Sequence, residues 1–106
     1  NYLPRTLVML SAEDLSVEAL ADRAHMSARN FARAFVKEVG CTPARFVERL
    51  RVDAARRRLE ETEAGLDRIA RECGFGGPDS MRRSFLRVVR VVPSDYRDRF
   101  RAAPRP

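Results

Sequence analysis

Arg29, Arg33 and Lys37 are spaced by four residues, and so are Asp79, Arg83 and Arg87, with Arg82 beside the second set. Residues four apart share one face of a helix, so each set would form a stripe. The chemistry open to a row of guanidinium groups is anion recognition. Arginine neutralises phosphate, and its planar fork can donate two hydrogen bonds to N7 and O6 of guanine, worth ~1–3 kcal/mol of discrimination. Other reactive side chains offer less. The single histidine, His25, lies between two helical patterns and reads as a turn or packing residue rather than a ligand or base. Cys41 and Cys73 are too few and too far apart for a zinc site or a disulfide framework. They read as buried inert thiols in a reducing setting, or else as a redox sensor. There is no Gly-rich phosphate loop and no inward carboxylate pair, and Glu60, Glu61 and Glu63 read as solvent-facing. No catalytic constellation emerges, so the sequence predicts no enzyme, no metal and no cofactor.

The elements that would carry these stripes follow from composition and periodicity. The chain has 106 residues, 44% hydrophobic and 34% charged, which suits one small globular, soluble domain. No apolar run approaches the ~20 residues of a membrane span, and no signal peptide is read at the N-terminus. The chain lacks an initiator Met, and is expected to be a fragment of a longer protein. Its net charge is +6, and every basic residue but Lys37 is arginine. The charge is sorted along the chain: residues 27–58 carry +6 and 82–101 carry +5, whereas 1–26 carry −2 and 59–81 carry −4. A genomic preference for arginine would not sort itself this way.

The apolar residues recur at three and four, so an all-α fold is expected. Leu3, Leu7, Val8 and Leu10 mark a short first helix over 3–11. Ser16 is a candidate N-cap for a second, carrying Val17, Leu20, Ala21 and Ala24; Ser27 caps a third with Phe31, Phe35 and Val39 inward, stopped by Gly40. Thr42-Pro43 opens a long helix to about Glu61, with Phe46, Val47, Leu50, Ala54 and Leu59 inward. Leu66, Ile69, Ala70 and Cys73 mark a fifth. Pro78 opens a sixth with Met81, Phe85 and Val88 or Val89 inward. Pro93 opens a last one with Tyr96 and Phe100 as core residues, and the tail from Arg101 is expected to fray.

The chain repeats itself. Leu20-Ala21, Ala24 and Met26 recur as Ile69-Ala70, Cys73 and Phe75 at an offset of 49, and Phe31, Arg33, Phe35, Pro43 and Phe46 recur as Met81, Arg83, Phe85, Pro93 and Tyr96 at 50. The extra residue falls inside the turn between the paired helices. A short helix, a tight turn and a second helix with a polar outer face is the helix-turn-helix arrangement, whose second helix can enter a major groove. A lone basic stripe is ordinarily a solvated face; two equivalent ones, each on the second helix of such a pair, favour nucleic acid. The alternative is a helical interaction module for an acidic protein or anionic membrane. The acidic first half of each repeat disfavours a membrane-lying helix.

At these residues the sequence resembles the DNA-binding domain of AraC/XylS-type transcriptional regulators, from about Leu3 to Phe100. The resemblance rests on Leu20-Ala21 through Met26-Ser27, on Phe31-Ala-Arg33-Ala-Phe35 with Gly40 and Thr42-Pro43, and on Ile69-Ala70, Cys73-Gly74-Phe75, Phe85 and Pro93-Ser-Asp-Tyr96-Arg97. It implies a seven-helix domain over 1–106, with one helix-turn-helix subdomain at about 3–42, a linker helix at about 43–61 and a second subdomain at about 65–101. It implies recognition helices at about 27–39 and 78–89 reading successive major grooves of double-stranded DNA. The implied base-contacting positions are Arg29, Ala32 and Arg33, then Pro78, Asp79, Arg82 and Arg83. Ala32 and Pro78 have little to hydrogen-bond with, which leaves Arg29, Arg33, Asp79, Arg82 and Arg83 as base readers. Asp79 would accept from a cytosine amine or else hold Arg83 in place. Ser27, Asn30, Lys37, Thr42, Ser80 and Arg87 suit phosphate.

The resemblance further implies a cytoplasmic transcription regulator, an activator more than a repressor, working with RNA polymerase. It implies a homo-oligomer formed through an absent N-terminal sensing domain, similar to members whose sensor is glutamine-amidotransferase-like. Two residues depart from the family's pattern: Arg90 stands where a Gly usually ends the second recognition helix, and Val92 where a Ser or Thr usually precedes the final helix. The 89–93 turn is therefore expected to be looser than, or differently shaped from, its Gly40–Pro43 counterpart.

Overall fold

A computed structural model describes residues 17–102 of the chain. Six α-helices and no strands occur among them: α1 (Val17–Arg23), α2 (Ala28–Val39), α3 (Pro43–Glu61), α4 (Leu66–Glu72), α5 (Pro78–Val89) and α6 (Pro93–Ala102). The helix expected over 3–11, the Ser16 cap and the end of the tail lie outside the described residues. The expected fraying from Arg101 is not seen, because α6 runs on through Arg101 and Ala102. Arg101 donates to the Thr62 carbonyl at 3.3 Å and pairs with Glu63 at 2.7 Å, which ties the last turn down.

The chain divides into two compact units, Asn1–Leu50 and Arg51–Pro106, and the division falls inside α3. In the first unit Leu20, Ala21, Phe31, Phe35 and Val47 form a buried cluster, flanked by Met26, Phe46 and Leu50. Phe31 and Phe46 each tilt against Phe35, with centroids 5.8 and 5.6 Å away. In the second unit Val52, Ala55, Leu59, Ile69, Ala70, Cys73, Phe75, Met81 and Phe85 are buried together. Val52 and Ala55, fully buried, do not belong to the inward line drawn from sequence along α3, while Ala54, drawn inward, is half-buried. One helix feeding two cores shifts its buried stripe around the axis, and a single amphipathic face does not describe it.

The repeat is reproduced element by element. α1 and α4 are seven residues each at an offset of 49, and α2 and α5 are twelve each at an offset of 50. Both short helices end in the same pair of hydrogen bonds. Met26 donates to Ala21 and His25 to Asp22, at 2.9 and 3.0 Å; Phe75 donates to Ala70 and Gly74 to Arg71, at 2.9 and 3.3 Å. This is the Schellman ending, whose first residue beyond the helix is left-handed, and His25 (φ 57°) and Gly74 (φ 88°) both are. The residue after it turns inward: Met26 packs against the first core and Phe75 is buried in the second.

α2 and α5 also end alike. Gly40 (φ 93°) donates to the Val36 carbonyl at 2.9 Å, and Arg90 (φ 74°) to the Leu86 carbonyl at 3.0 Å. The 89–93 turn therefore has the shape of its counterpart, against the expectation of a looser one. Proline restarts the chain three residues later in both, and Pro43 and Pro93 are both buried. What the missing glycine changes is strain in Arg90, since a Cβ in the left-handed region costs roughly 1–2 kcal/mol.

Candidate nucleic-acid interface

α2 turns its apolar side inward through Phe31 and Phe35. That rotation alone puts Arg29, Arg33 and Lys37 outward, and all three are exposed. α5 is anchored in the same way by Met81 and Phe85. Asp79, Arg82, Arg83 and Arg87 are exposed on it, as is Pro78, while Ser80 is half-buried. Ser27, Asn30 and Thr42 are exposed and Ala32 is half-buried. Each unit thus gathers its own share of the predicted residues on or beside one helix.

Arg29, Arg33, Lys37, Arg82 and Arg83 enter no ion pair among the described residues. Several arginines elsewhere are tied down, although Arg49, Arg57, Arg71 and Arg99 also enter no ion pair among the described residues. Arg45 pairs with Glu48 at 3.2 Å, and Arg68 holds Glu72 at 3.0 Å, with Arg58 on the other carboxylate oxygen. Arg56 lies over the Tyr96 ring, 5.6 Å from its centroid. Arg97 donates to the carbonyls of Leu59 and Thr62 at 3.3 and 3.2 Å, covering backbone acceptors that the end of α3 leaves open. No ion pair joins Asp79 to Arg83 among the described residues, so of its two proposed roles the structure displays no contact for the tether.

The two helix starts differ. Ser27 Oγ accepts from the Asn30 amide at 3.1 Å, and Thr42 Oγ1 accepts from the Arg45 amide at 3.2 Å. Both hydroxyls predicted to meet phosphate are thus fixed as N-caps, and each keeps its proton for donation outward. α5 opens on Gly77, in extended conformation and without a side-chain cap, and Asp79 sits in its first turn. That carboxylate occupies the positive end of the helix dipole, where an anionic ligand would otherwise be favoured. Phosphate contact through the start of a helix is therefore better supported at α2 than at α5.

Sequence reasoning missed two things here, the partner of Glu60 and the exposed pair Val36 and Leu86, whereas Cys73 is buried as expected. Glu60, read as solvent-facing, is half-buried and accepts from Tyr96 Oη. Burial and this carboxylate push the Tyr96 hydroxyl above its usual pKa. Cys73 is buried, and burial raises its thiol too, which disfavours the thiolate a redox sensor needs; Cys41 is half-buried. Val36 and Leu86 stand exposed on α2 and α5 at matching positions. The 50-residue offset, applied to outward rather than inward positions, would have found them.

A helix-turn-helix domain family matches residues 20–99. The chain belongs to the AraC-type helix-turn-helix family. This is a family of DNA-binding transcription regulators, not of enzymes. The chain is 54% identical over 81 residues to the HTH-type transcriptional regulator Rv1931c of Mycobacterium tuberculosis (strain ATCC 25618 / H37Rv), covering 76% of this chain and 31% of that protein. It is 34% identical over 86 residues to the HTH-type transcriptional activator RhaS of Escherichia coli O9:H4 (strain HS), covering 81% of this chain and 31% of that one. The crystal structure of the DNA-binding domain of AdpA, a global transcriptional factor, in complex with a target DNA superposes with a TM-score of 0.86. It is 35% identical to this chain and the match covers 94% of this chain and 90% of that one. The chain thus spans about a third of the length of its curated AraC-type relatives. No helix among the described residues is long and apolar enough to cross a membrane.

Proposed function

We propose that the chain is a sequence-specific reader of double-stranded DNA, with α2 and α5 each entering a major groove and the two grooves successive. The observation that carries this is the pair of equivalent, exposed guanidinium faces on which Arg29, Arg33, Arg82 and Arg83 enter no ion pair among the described residues. An unpaired guanidinium in water is easily transferred to phosphate or guanine, because no internal partner has to be displaced. Arg29 and Arg33 read bases in the first unit, and Arg82 and Arg83 in the second, with Asp79 accepting from a cytosine amine. Ser27, Asn30, Lys37 and Thr42, then Ser80 and Arg87, hold the backbone. We assign residues 1–106 to one such domain, with about 3–42 and 65–101 as its two reading subdomains and 43–61 as the helix between.

The resemblance to the AdpA domain, which was crystallised on a target DNA, supports the ligand class. The activator RhaS supports activation as the outcome, with RNA polymerase as the partner. The span of about a third of the relatives supports a further sensing and oligomerising part outside this chain. A cytoplasmic site of action follows from that reading.

The test is selection of binding sites from random duplexes, followed by Arg33→Ala and Arg83→Ala. The selected motif should span ~15–20 bp. Each variant should relax preference at one position, at a cost of ~1–3 kcal/mol. A motif half as long would restrict reading to one unit. Variants that keep the wild-type ratio between the selected site and scrambled DNA would overturn the base-reading assignment.

A further inference from the structure

Among the described residues the large apolar side chains standing exposed are Val36, at 42%, and Leu86, at 44%. They lie 50 residues apart, the offset that relates α5 to α2, so they are the same position of the repeat. Singly exposed apolar residues are common and need no account. Two of them at one register of a duplicated, otherwise charged helix face do.

Their angular position decides what they meet. A helix turns about 100° per residue. With Arg29 taken as zero, Arg33 lies at about +40°, Ala32 at about −60° and Val36 at about −20°. The outward direction opposite Phe31 and Phe35 falls at about +40°, on Arg33. Val36 therefore lies between Arg29 and Ala32, on the side of the face nearer the core, and is still exposed. Lys37 and Asn30 flank that face at about +80° and +100°. In α5 the same angles hold for Asp79, Arg83, Arg82, Leu86, Arg87 and Ser80. Along the axis Val36 sits about 4.5 Å past Arg33, and base pairs are stacked at about 3.4 Å.

We propose that Val36 and Leu86 are specificity-determining residues, each packing on the C5-methyl group of a thymine. That thymine lies one or two base pairs from the pair read by Arg33 or Arg83. This rests on the DNA-reading proposal above. An aliphatic side chain cannot bind phosphate or hydrogen-bond a base, and the thymine methyl is the one apolar feature that the major groove offers. Arginine supplies guanine preference and charge; the aliphatic residue beyond it supplies thymine preference. Each unit then reads a guanine and a neighbouring thymine as a pair.

The test uses the 106-residue chain and the selected duplex. Each thymine is replaced in turn by deoxyuridine, which removes only the methyl group. One such replacement in each half-site should weaken binding about three- to fivefold, the effect of exposing one buried methyl. Val36→Ala should abolish the deoxyuridine effect in the first half-site, and Leu86→Ala in the second. Both positions are exposed, so both variants should melt as the parent does. Specific binding with equal affinity for thymine and deoxyuridine duplexes at every position would overturn this proposal and leave the arginine assignments standing. Deoxyuridine sensitivity that persists in Val36→Ala and Leu86→Ala would overturn it too, placing the methyl contact on other residues. A chain that binds all duplexes alike would overturn it together with the DNA-reading proposal.

Discussion

At the turn between α1 and α2 the left-handed residue is His25; at the matching turn between α4 and α5 it is Gly74. At the far end of the second helix the residue types are exchanged: Gly40 is left-handed after α2, and Arg90 after α5. Among the described residues each unit therefore has two left-handed positions and one glycine to fill them, and the two units place that glycine at opposite ends of the helix-turn-helix pair's second helix. The backbone nonetheless takes the same course in both, down to the same donors and acceptors. Turn shape here is dictated by what surrounds it: the helix-ending hydrogen bonds, the inward Met26 or Phe75, and the buried proline that follows. Glycine lowers the cost of that shape without creating it.

The largest effects should come from what the units share. Phe35 and Phe85 are fully buried at equivalent positions, and Phe35→Ala or Phe85→Ala should each cost ~3–5 kcal/mol. Urea denaturation checks this. The two costs should agree within about a factor of two, and a much smaller value at one would show that the two cores are not equivalent supports.

The left-handed positions should separate the units. Gly40→Ala and Gly74→Ala add left-handed strain of roughly 1–2 kcal/mol, less what a stiffer unfolded chain returns, for a net loss of ~0.5–1.5 kcal/mol. A Cβ at Gly40 would meet nothing within 4 Å, so strain rather than collision sets that cost. Arg90→Gly removes strain and should stabilise by ~0.5–1 kcal/mol. His25→Gly should gain less, because histidine is among the residues that tolerate this region. A denaturation midpoint unmoved by Arg90→Gly would show that Arg90 bears no such strain.

The repeat was legible in the sequence because it is written in buried residues. A phenylalanine, methionine or proline that must face a core cannot change type freely, so the offsets of 49 and 50 survive and place both recognition helices. What was not legible depends on side chains meeting at 35–38 residues' separation, where no periodicity points. Tyr96 to Glu60, Arg97 to the carbonyls of Leu59 and Thr62, and Arg101 to Glu63 are all of this kind. They explain why the end of α3 and the final helix are well held in a unit where α4 and α5 start without side-chain caps. The guanidinium stripes were legible for another reason: a helix anchored by two large apolar residues four apart, Phe31 and Phe35 or Met81 and Phe85, has little choice about which residues it turns outward.

Caps should give a smaller difference than glycines. Thr42 Oγ1 caps α3, and Val92, its counterpart before α6, has no oxygen to offer. Thr42→Ala should lose about 1 kcal/mol, and Val92→Thr should gain up to about that much, both read from thermal midpoints. Val92 is half-buried, so a failed gain would mean that its apolar contacts outweigh a cap there.

The smallest effect concerns Glu72, whose counterpart in the first unit is Arg23. Glu72 ends α4, where the helix dipole disfavours a carboxylate. Its hydrogen bond with Arg68, aided by the charges of Arg68 and Arg58, still holds its pKa below the usual carboxylate value. A carboxyl whose pKa is lower folded than unfolded contributes stability above the unfolded value, and loses it as pH falls through the folded one. The chain should therefore lose slightly more stability between neutral pH and the acid side of the carboxylate range than Glu72→Gln does. The pair is exposed and screened by salt, so the difference should shrink as ionic strength rises. Parallel acid limbs for chain and variant at low salt would mean that the two arginines do no more at Glu72 than water would.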